Sequence, residues 1–261
     1  MSHPFFLRLA YVGTSFYGWQ IQTSLRSVQG ELWKALGAID PEAPMPQGTG
    51  RTDAGVHARA QGVLVLTQRC WDPYRLMAAL NAHLPGDVRV MAVQAVPEGF
   101  FPRQHAVAKR YVYRLLEGPA ADPFQRDRVW HIHGKEPLDR EAMSRAASGL
   151  VGEQDFSSFR AAECSAKTST RIIHKAELRD QGPSLDLVFE GNRFLMHQVR
   201  IMAGTLVEVG RRREFAEAIP GIIAARNRSA AGITAPAAGL YLDAVWYQRR
   251  WGIGEPSPWP E

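Results

Sequence analysis

Gly48 to Gln61 reads GTGRTDAGVHARAQ and runs through Gly62 into the apolar stretch VLVLT, Val63 to Thr67. Three glycines, Gly48, Gly50 and Gly55, surround a single carboxylate, Asp53. Glycine tolerates φ > 0 and lets another backbone or a ligand come close. The stretch is therefore either a shaped loop that holds Asp53 in one place or a solvated surface turn, and these residues alone leave both open. Either way a loop feeds a strand over GVLVLTQ, and the elements on both sides of that pair can be read outward from it.

Upstream, PFFLRLAY alternates as a strand to about Tyr11, and a Gly/Ser/Thr loop carrying Phe16, Tyr17 and Trp19 follows. SVQGELWKALGAI then spaces Val28, Leu32, Ala35, Leu36 and Ile39 as a helix, with Ser27 as its N-cap. Downstream, Asp72 caps a helix over YRLMAALNAHL with Pro73 at its first position, and VRVMAVQAV is another strand. The same order returns after FFPRQHAVA. KRYVYRLLEG reads as a strand, LDREAMSRAASGLVG as a helix, and RIIHKAELRD and SLDLVFEG as two strands. FLMHQVRIMAGTLVEVG is predicted as one long helix, REFAEAIPGIIAARN as a helix broken at Pro220, and GLYLDAVWYQ as a closing strand. This order predicts an α+β chain of two halves, 1–105 and 106–250, whose strands join one mostly antiparallel sheet, with a tail at 251–261.

The chain has 261 residues, 45% hydrophobic and 22% charged, which is globular composition and argues against disorder. Its net charge of +5 permits a polyanionic partner. Cys70 and Cys164 are the only cysteines, too few for a disulfide framework and without metal-binding spacing. No stretch approaches the roughly 20 apolar residues of a membrane span, and MSHPFFLRLAYVG lacks the length and flanks of a signal peptide. The expected compartment is the cytoplasm.

Several common chemistries fail on the residues. Gly50 to Gly55 has phosphate-loop spacing, but Val56 stands where the lysine must be. The dinucleotide fingerprint misses by one residue, and no G-x-S-x-G elbow exists for a serine hydrolase. His131 and His133 share one face of a possible strand and the other histidines are scattered, so no metal is expected. The predicted long helix places Arg193, His197, Arg200 and Gly204 within roughly 60° of one another, opposite an apolar face. That cationic stripe faces either plain solvent or a polar cleft holding an anion. On KRYVYRLL, Lys109, Tyr111 and Tyr113 share one strand face, and Arg110 and Arg114 the other. Tyrosines interleaved with cations suit base stacking and phosphate contact, or ordinary edge-strand decoration.

Six segments together, YVGTSFYGWQIQ, GRTDAGVHARAQ, KRYVYRL, DFSSFR, FLMHQVRIMAG and TAPAAGLYLDAVWY, closely resemble the tRNA pseudouridine synthases of the TruA family. The resemblance runs from about Phe5 to Tyr247. It implies two α/β subdomains sharing a mostly antiparallel central sheet with a cleft between them. It implies an isomerase for uridines 38, 39 and 40 in the anticodon stem-loop of tRNA, working as a homodimer without cofactor or metal. The family's essential aspartate carries over to Asp53, its paired arginine to Arg200, and its base-packing, proton-transferring tyrosine to Tyr111. Arg51 matches the arginine that contacts RNA; Arg110, Arg160, Lys167, Arg171 and His197 are further candidates for substrate contacts, and Arg211 to Arg213 form a basic cluster. The chain departs from the family at Val12, where an aspartate is usual, and at Gln198, where methionine is. Two rivals change the activity: a non-catalytic RNA-binding or RNA-chaperone module on the same fold, or an aspartate-based glycosidase or nucleosidase. The second needs a partner carboxylate, for which Glu31, Asp40 and Glu42 sit in no supporting motif.

Overall fold

The computed structural model describes residues 2–134, 136–211 and 217–261 and is mixed α and β, with mostly antiparallel strands. The chain divides into two compact units, Met1–Lys109 with Tyr241–Glu261, and Arg110–Leu240. The first unit contains β1 (His3–Tyr11), α1 (Val28–Ile39), β2 (Gln47–Gly48), β3 (His57–Thr67), α2 (Pro73–His83), β4 (Val88–Ala95) and the short α3 (Pro102–His105). β5 (Ala106–Glu117) starts there and continues into the second unit. The second unit goes on with β6 (Trp130–Ile132), α4 (Arg140–Ser148), β7 (Gly152–Asp155), β8 (Thr170–Gln181), β9 (Ser184–Gly191), α5 (Gln198–Arg211) and α6 (Ala218–Ala225). β10 (Leu240–Tyr247) returns the chain to the first unit.

In the first unit β1 is paired antiparallel on both edges, with Phe6 opposite Leu64 of β3 and Gln94 of β4. β10 adds to β3 in parallel, Tyr241 opposite His57. The alternation of HPFFLRLAY follows from this. Phe5, Leu7 and Leu9 are buried on one face, while Phe6 packs on the other with Leu64, Val96, Phe100, Tyr247 and Ile253. α1 begins where predicted, Ser27 Oγ accepting the Gly30 N–H, and Asp72 caps α2 by accepting from Arg75. Leu32, Leu36, Leu76 and Leu80 of these helices are fully buried, each worth about 1.5–3 kcal/mol against exposure.

In the second unit the strand order is β5-β9-β8-β7, with β6 parallel to the end of β5. β8 and β9 form a hairpin closed by Gly182 at φ 75°. α4, capped by Asp139, packs on α5 and β8. The short β6 and β7 carry too few residues to show a period. Among the described residues no helix is long and apolar enough to cross a membrane.

Two elements differ from their predicted form. α5 starts at Gln198 rather than Phe194. His197 has φ 61°, Gln198 Oε1 accepts the Leu195 N–H at 2.8 Å, and the Met196 carbonyl accepts from Ala161, so the preceding backbone is committed elsewhere. Arg193 and His197 are therefore not on a helical face with Arg200. α6 runs through Pro220 unbroken, because in the first turn the missing N–H has no intrahelical partner to lose. The predicted start of that helix, with Arg212 and Arg213 of the basic cluster, lies outside the described residues. The residues after 250 are ordered: Ile253 is buried, Gln94 donates to Gly252 O at 2.8 Å, and Trp251 stacks on His105.

Candidate active site

Asp53 begins a turn in which the Val56 N–H donates to its carbonyl at 3.2 Å, with Gly55 at φ 79° in the third position. That left-handed φ is what glycine supplies there. The preceding Thr52 is buried: its carbonyl accepts the Trp19 N–H at 3.1 Å and its hydroxyl shares a hydrogen bond with Tyr11 Oη at 2.8 Å. Burial pushes the Tyr11 hydroxyl up, against a smaller lowering by Thr52 and Gln61, so it stays protonated. Gly55 donates to Phe16 O at 3.2 Å. Residues 13–19 thus lie backbone to backbone against residues 52–56. At Gly18, with φ 92°, a Cβ would stand 2.5 Å from the Thr52 carbonyl oxygen.

The next residues are held equally firmly. Gly13 N–H donates to His57 Nδ1 at 3.0 Å, which requires that nitrogen to be unprotonated. The buried His57 ring stacks on Tyr241, centroids 4.6 Å apart. Before the aspartate, Thr49 N–H donates to Gly62 O at 2.8 Å, its hydroxyl bonds Tyr247 Oη, and Gln61 Nε2 donates to Gly50 O at 2.7 Å. The loop is a shaped one and not a solvated turn. It leaves Arg51 exposed and Asp53 half-buried.

In the second unit, Arg200 is half-buried on the first turn of α5. Its Nε donates to Ala235 O at 2.8 Å, and the Ala235 N–H returns to Arg200 O at 3.1 Å. Residues 232–236 lie along α5: Gly232 N–H donates to Thr205 Oγ1 at 3.0 Å, and a Cβ on Gly204 would stand 2.0 Å from Ile233 O. This strap fixes the direction of the Arg200 guanidinium. Next to it, Tyr113 donates to Pro236 O at 2.7 Å; burial pushes its hydroxyl up, against a lowering by Arg200. Tyr113 is fully enclosed, so it is no platform for a base. Tyr111 is buried, with its ring edge-on to Phe194 at 5.1 Å.

The remaining sequence candidates have distinct settings. Arg110 Nε donates to the buried Glu190 at 2.7 Å. Arg160 donates to Cys164 O, Arg171 to Thr168 Oγ1 and Thr170 O, and Lys167 is exposed. His197 caps α5, its carbonyl accepting the Ile201 N–H at 2.9 Å, in a left-handed conformation costing about 1–3 kcal/mol. Arg211 pairs with Glu208 at 3.4 Å. His131 bonds Gly118 O at 2.9 Å, and among the described residues no group of three or more His, Cys, Asp or Glu side chains could hold a metal. Of the two departures, Gln198 ties off the turn before α5, and Val12 N–H donates to the carbonyl of Asp87, whose carboxylate takes both terminal nitrogens of Arg26. Tyr11, Thr52 and His57, which hold the aspartate loop, are residues that spacing did not single out. Their partners lie up to 44 residues away, so only the contiguous segments carried a signal.

A family model described as tRNA pseudouridine synthase matches residues 146–248. A tRNA pseudouridine synthase A from Azorhizobium caulinodans is 41% identical to this chain, over 92% of it and 93% of that protein. The protein of the same name from Halalkalibacterium halodurans is 44% identical over 90% and 89% of the two chains. That from Escherichia coli is 39% identical over 97% and 93%. With identity at this level along nearly its whole length, the chain belongs to the tRNA pseudouridine synthase A family.

Proposed function

We propose that this chain isomerises uridines 38, 39 and 40 of the tRNA anticodon stem-loop to pseudouridine, with Asp53 as its catalytic carboxylate. Family membership carries the coarser part, that the enzyme is a tRNA-uridine isomerase. In that reaction the C1′–N1 bond breaks, the uracil turns, and a C1′–C5 bond forms; C5 loses a proton and N1 gains one. Nothing is oxidised and no group is donated, so the proposed enzyme needs neither cofactor nor metal. An ionised carboxylate serves either as nucleophile or as base toward the ribose.

The observation that best supports Asp53 is its setting: backbone hydrogen bonds and close contacts clamp the loop on both sides of it while its side chain stays half-buried. Catalysis needs a carboxylate in a fixed place, and a clamped loop supplies that. In this reading Arg200, aimed by its Ala235 bond, pairs with the carboxylate. Tyr111 packs on the displaced uracil and takes part in proton loss from C5. Arg51, exposed beside the aspartate, contacts RNA and helps displace the nucleotide, at a cost of a few kcal/mol that binding offsets. Arg110, Arg160, Lys167, Arg171 and His197 complete the proposed substrate contacts, and the enzyme works as a cytoplasmic homodimer.

The test uses unmodified tRNA carrying tritium at uridine C5, incubated with the protein and a chelator. Wild type should release tritium, and Asp53→Asn should not, while its tRNA affinity stays within a few-fold. Substantial release by Asp53→Asn would remove this residue from its role. Transcripts whose only anticodon-arm uridine is at 38, 39 or 40, beside one with none there, decide the site.

A further inference from the structure

Three arginines of the second unit lie on segments hydrogen-bonded to one another, and the charges of Arg160 and Arg193 bear on Arg171. Arg160 follows a short 3-10 turn (Ser157–Phe159), Arg171 is the second residue of β8, and Arg193 lies between β9 and α5. Hydrogen bonds of the backbone and of the Asn192 side chain sew these three segments together. Ile172 N–H donates to Asn192 Oδ1 at 3.2 Å and Asn192 N–H returns to Ile172 O at 3.1 Å. Asn192 Oδ1 also accepts the Arg193 N–H at 2.6 Å, and Ala161 N–H donates to Met196 O at 3.2 Å. Two of the guanidiniums are braced only by neutral groups: Arg160 by Cys164 O, and Arg171 by Thr168 Oγ1 and Thr170 O. None of the three has a carboxylate partner among the described residues.

Arg171 bears the consequence. Its Nε is shut off from solvent and has no hydrogen-bond partner among the described residues. Burial pushes its pKa down; the Cys164 sulfur acts the other way, and the charges of Arg193 and Arg160 lower it further. Burial raises the Cys164 thiol in turn, but the Ala166 and Met196 N–H groups and Arg160 outweigh it and hold the thiol below its usual range. The neighbourhood thus gathers three cationic groups, with the Cys164 sulfur, held by the Ala166 and Met196 N–H groups, opposing Arg193 and Arg160 at Arg171. Like charges held together by three stitched segments repel one another, and an anion relieves that repulsion on binding.

We propose that Arg160, Arg171 and Arg193 form one preorganised seat for a phosphodiester of the tRNA backbone. This rests on the reading of tRNA as the substrate. Planar guanidinium forks match phosphate oxygens in pairs, and several can share one phosphate. A seat of this kind positions the RNA and reads no base. Lys167, exposed in the loop between Arg160 and Arg171, adds charge at the rim.

The experiment measures tRNA affinity across a series of salt concentrations for wild type, Arg193→Gln, Arg171→Gln and the double variant, with the melting temperature of each free protein. Removing one arginine–phosphate pairing should flatten the slope of log K against log salt by about 0.7–0.9, and the double variant should flatten it more than either single one. Arg171→Lys should recover more of the slope than of the affinity, because it restores charge without the fork. Arg193→Gln should melt no lower than wild type, since its side chain braces nothing among the described residues. Slopes equal to wild type in both single variants and the double one would overturn the seat. Pseudouridine formation by wild type in the same preparations separates the two claims. Product with unchanged slopes removes the seat alone; flattened slopes without product keep the seat and remove the isomerase reading.

Discussion

Gly18 turns at φ 92° directly beneath the Thr52 carbonyl, and no other residue type fits there without moving the aspartate loop. A Cβ at that point would also stand 3.2 Å from Asp53 C and 3.3 Å from Ala54 N. Gly18→Ala should therefore cost about 1–3 kcal/mol in backbone strain, before any steric push. At roughly 2–4 °C per kcal/mol the melting temperature should fall by several degrees. Tritium release should slow more than stability alone explains, because the displaced backbone carries Asp53. A Gly18→Ala enzyme with wild-type melting and wild-type rate would show that this close approach does not set the loop. Three glycines around one carboxylate were legible as an unusual stretch; that the second layer of glycines, Gly13 and Gly18, lies against it was not. Local sequence reports which φ values a residue tolerates, and not which distant carbonyl it meets.

Elements with a local cause were legible in the same way. Ser27 and Asp72 cap α1 and α2 because their oxygens satisfy N–H groups three residues on, a relation the sequence displays. The start of α5 was not, because apolar spacing continues through Phe194 and Leu195 although the backbone breaks at His197. Apolar period reports which face is buried and is silent on a single φ. α3 is a different case, four residues long and held by a side chain: His105 Nδ1 accepts the Phe101 N–H at 3.0 Å. Burial, with the nearby charge of Arg250, lowers the His105 pKa below its ordinary value. The folded state then takes up this proton less readily than the unfolded one. The stability held in the neutral ring is present above about pH 6.5 and is lost as pH falls through the folded value. Protonating Nδ1 would also remove the acceptor for Phe101. His105→Phe should keep most of the packing on Trp251, lose the Phe101 bond, and flatten the fall of melting temperature between pH 7 and 5. His174, lowered by burial against the influence of Glu190, should leave a residual slope. An undiminished slope in His105→Phe would place the acid sensitivity elsewhere.

At the scale of the whole chain, Tyr241–Glu261 belong with Met1–Lys109. β10 lies beside β3, Tyr247 packs on Phe6 and Phe100 at centroid distances of 5.2 and 5.5 Å, and its hydroxyl meets Thr49 at the head of the aspartate loop. Trp251 and Ile253 extend the same cluster. A chain ending at Gln248 should still fold, but with Phe100 and His105 uncovered its melting temperature should drop by roughly 5–15 °C. Melting unchanged from wild type would mean that residues 249–261 add no core. The sequence by itself determined the alternation of the strands, the helix caps, the glycine-rich stretch around Asp53 and the family to which six ordered segments point. Those follow from φ preferences, local hydrogen bonds and residue order, all carried within a few neighbouring positions. Only the tertiary structure decided that residues 13–19 clamp the loop, that residues 232–236 aim Arg200, that the tail is core, and that the segments carrying Arg160, Arg171 and Arg193 are hydrogen-bonded to one another. Each depends on hydrogen bonds, contacts or charge between groups far apart in the chain, for which no local pattern exists.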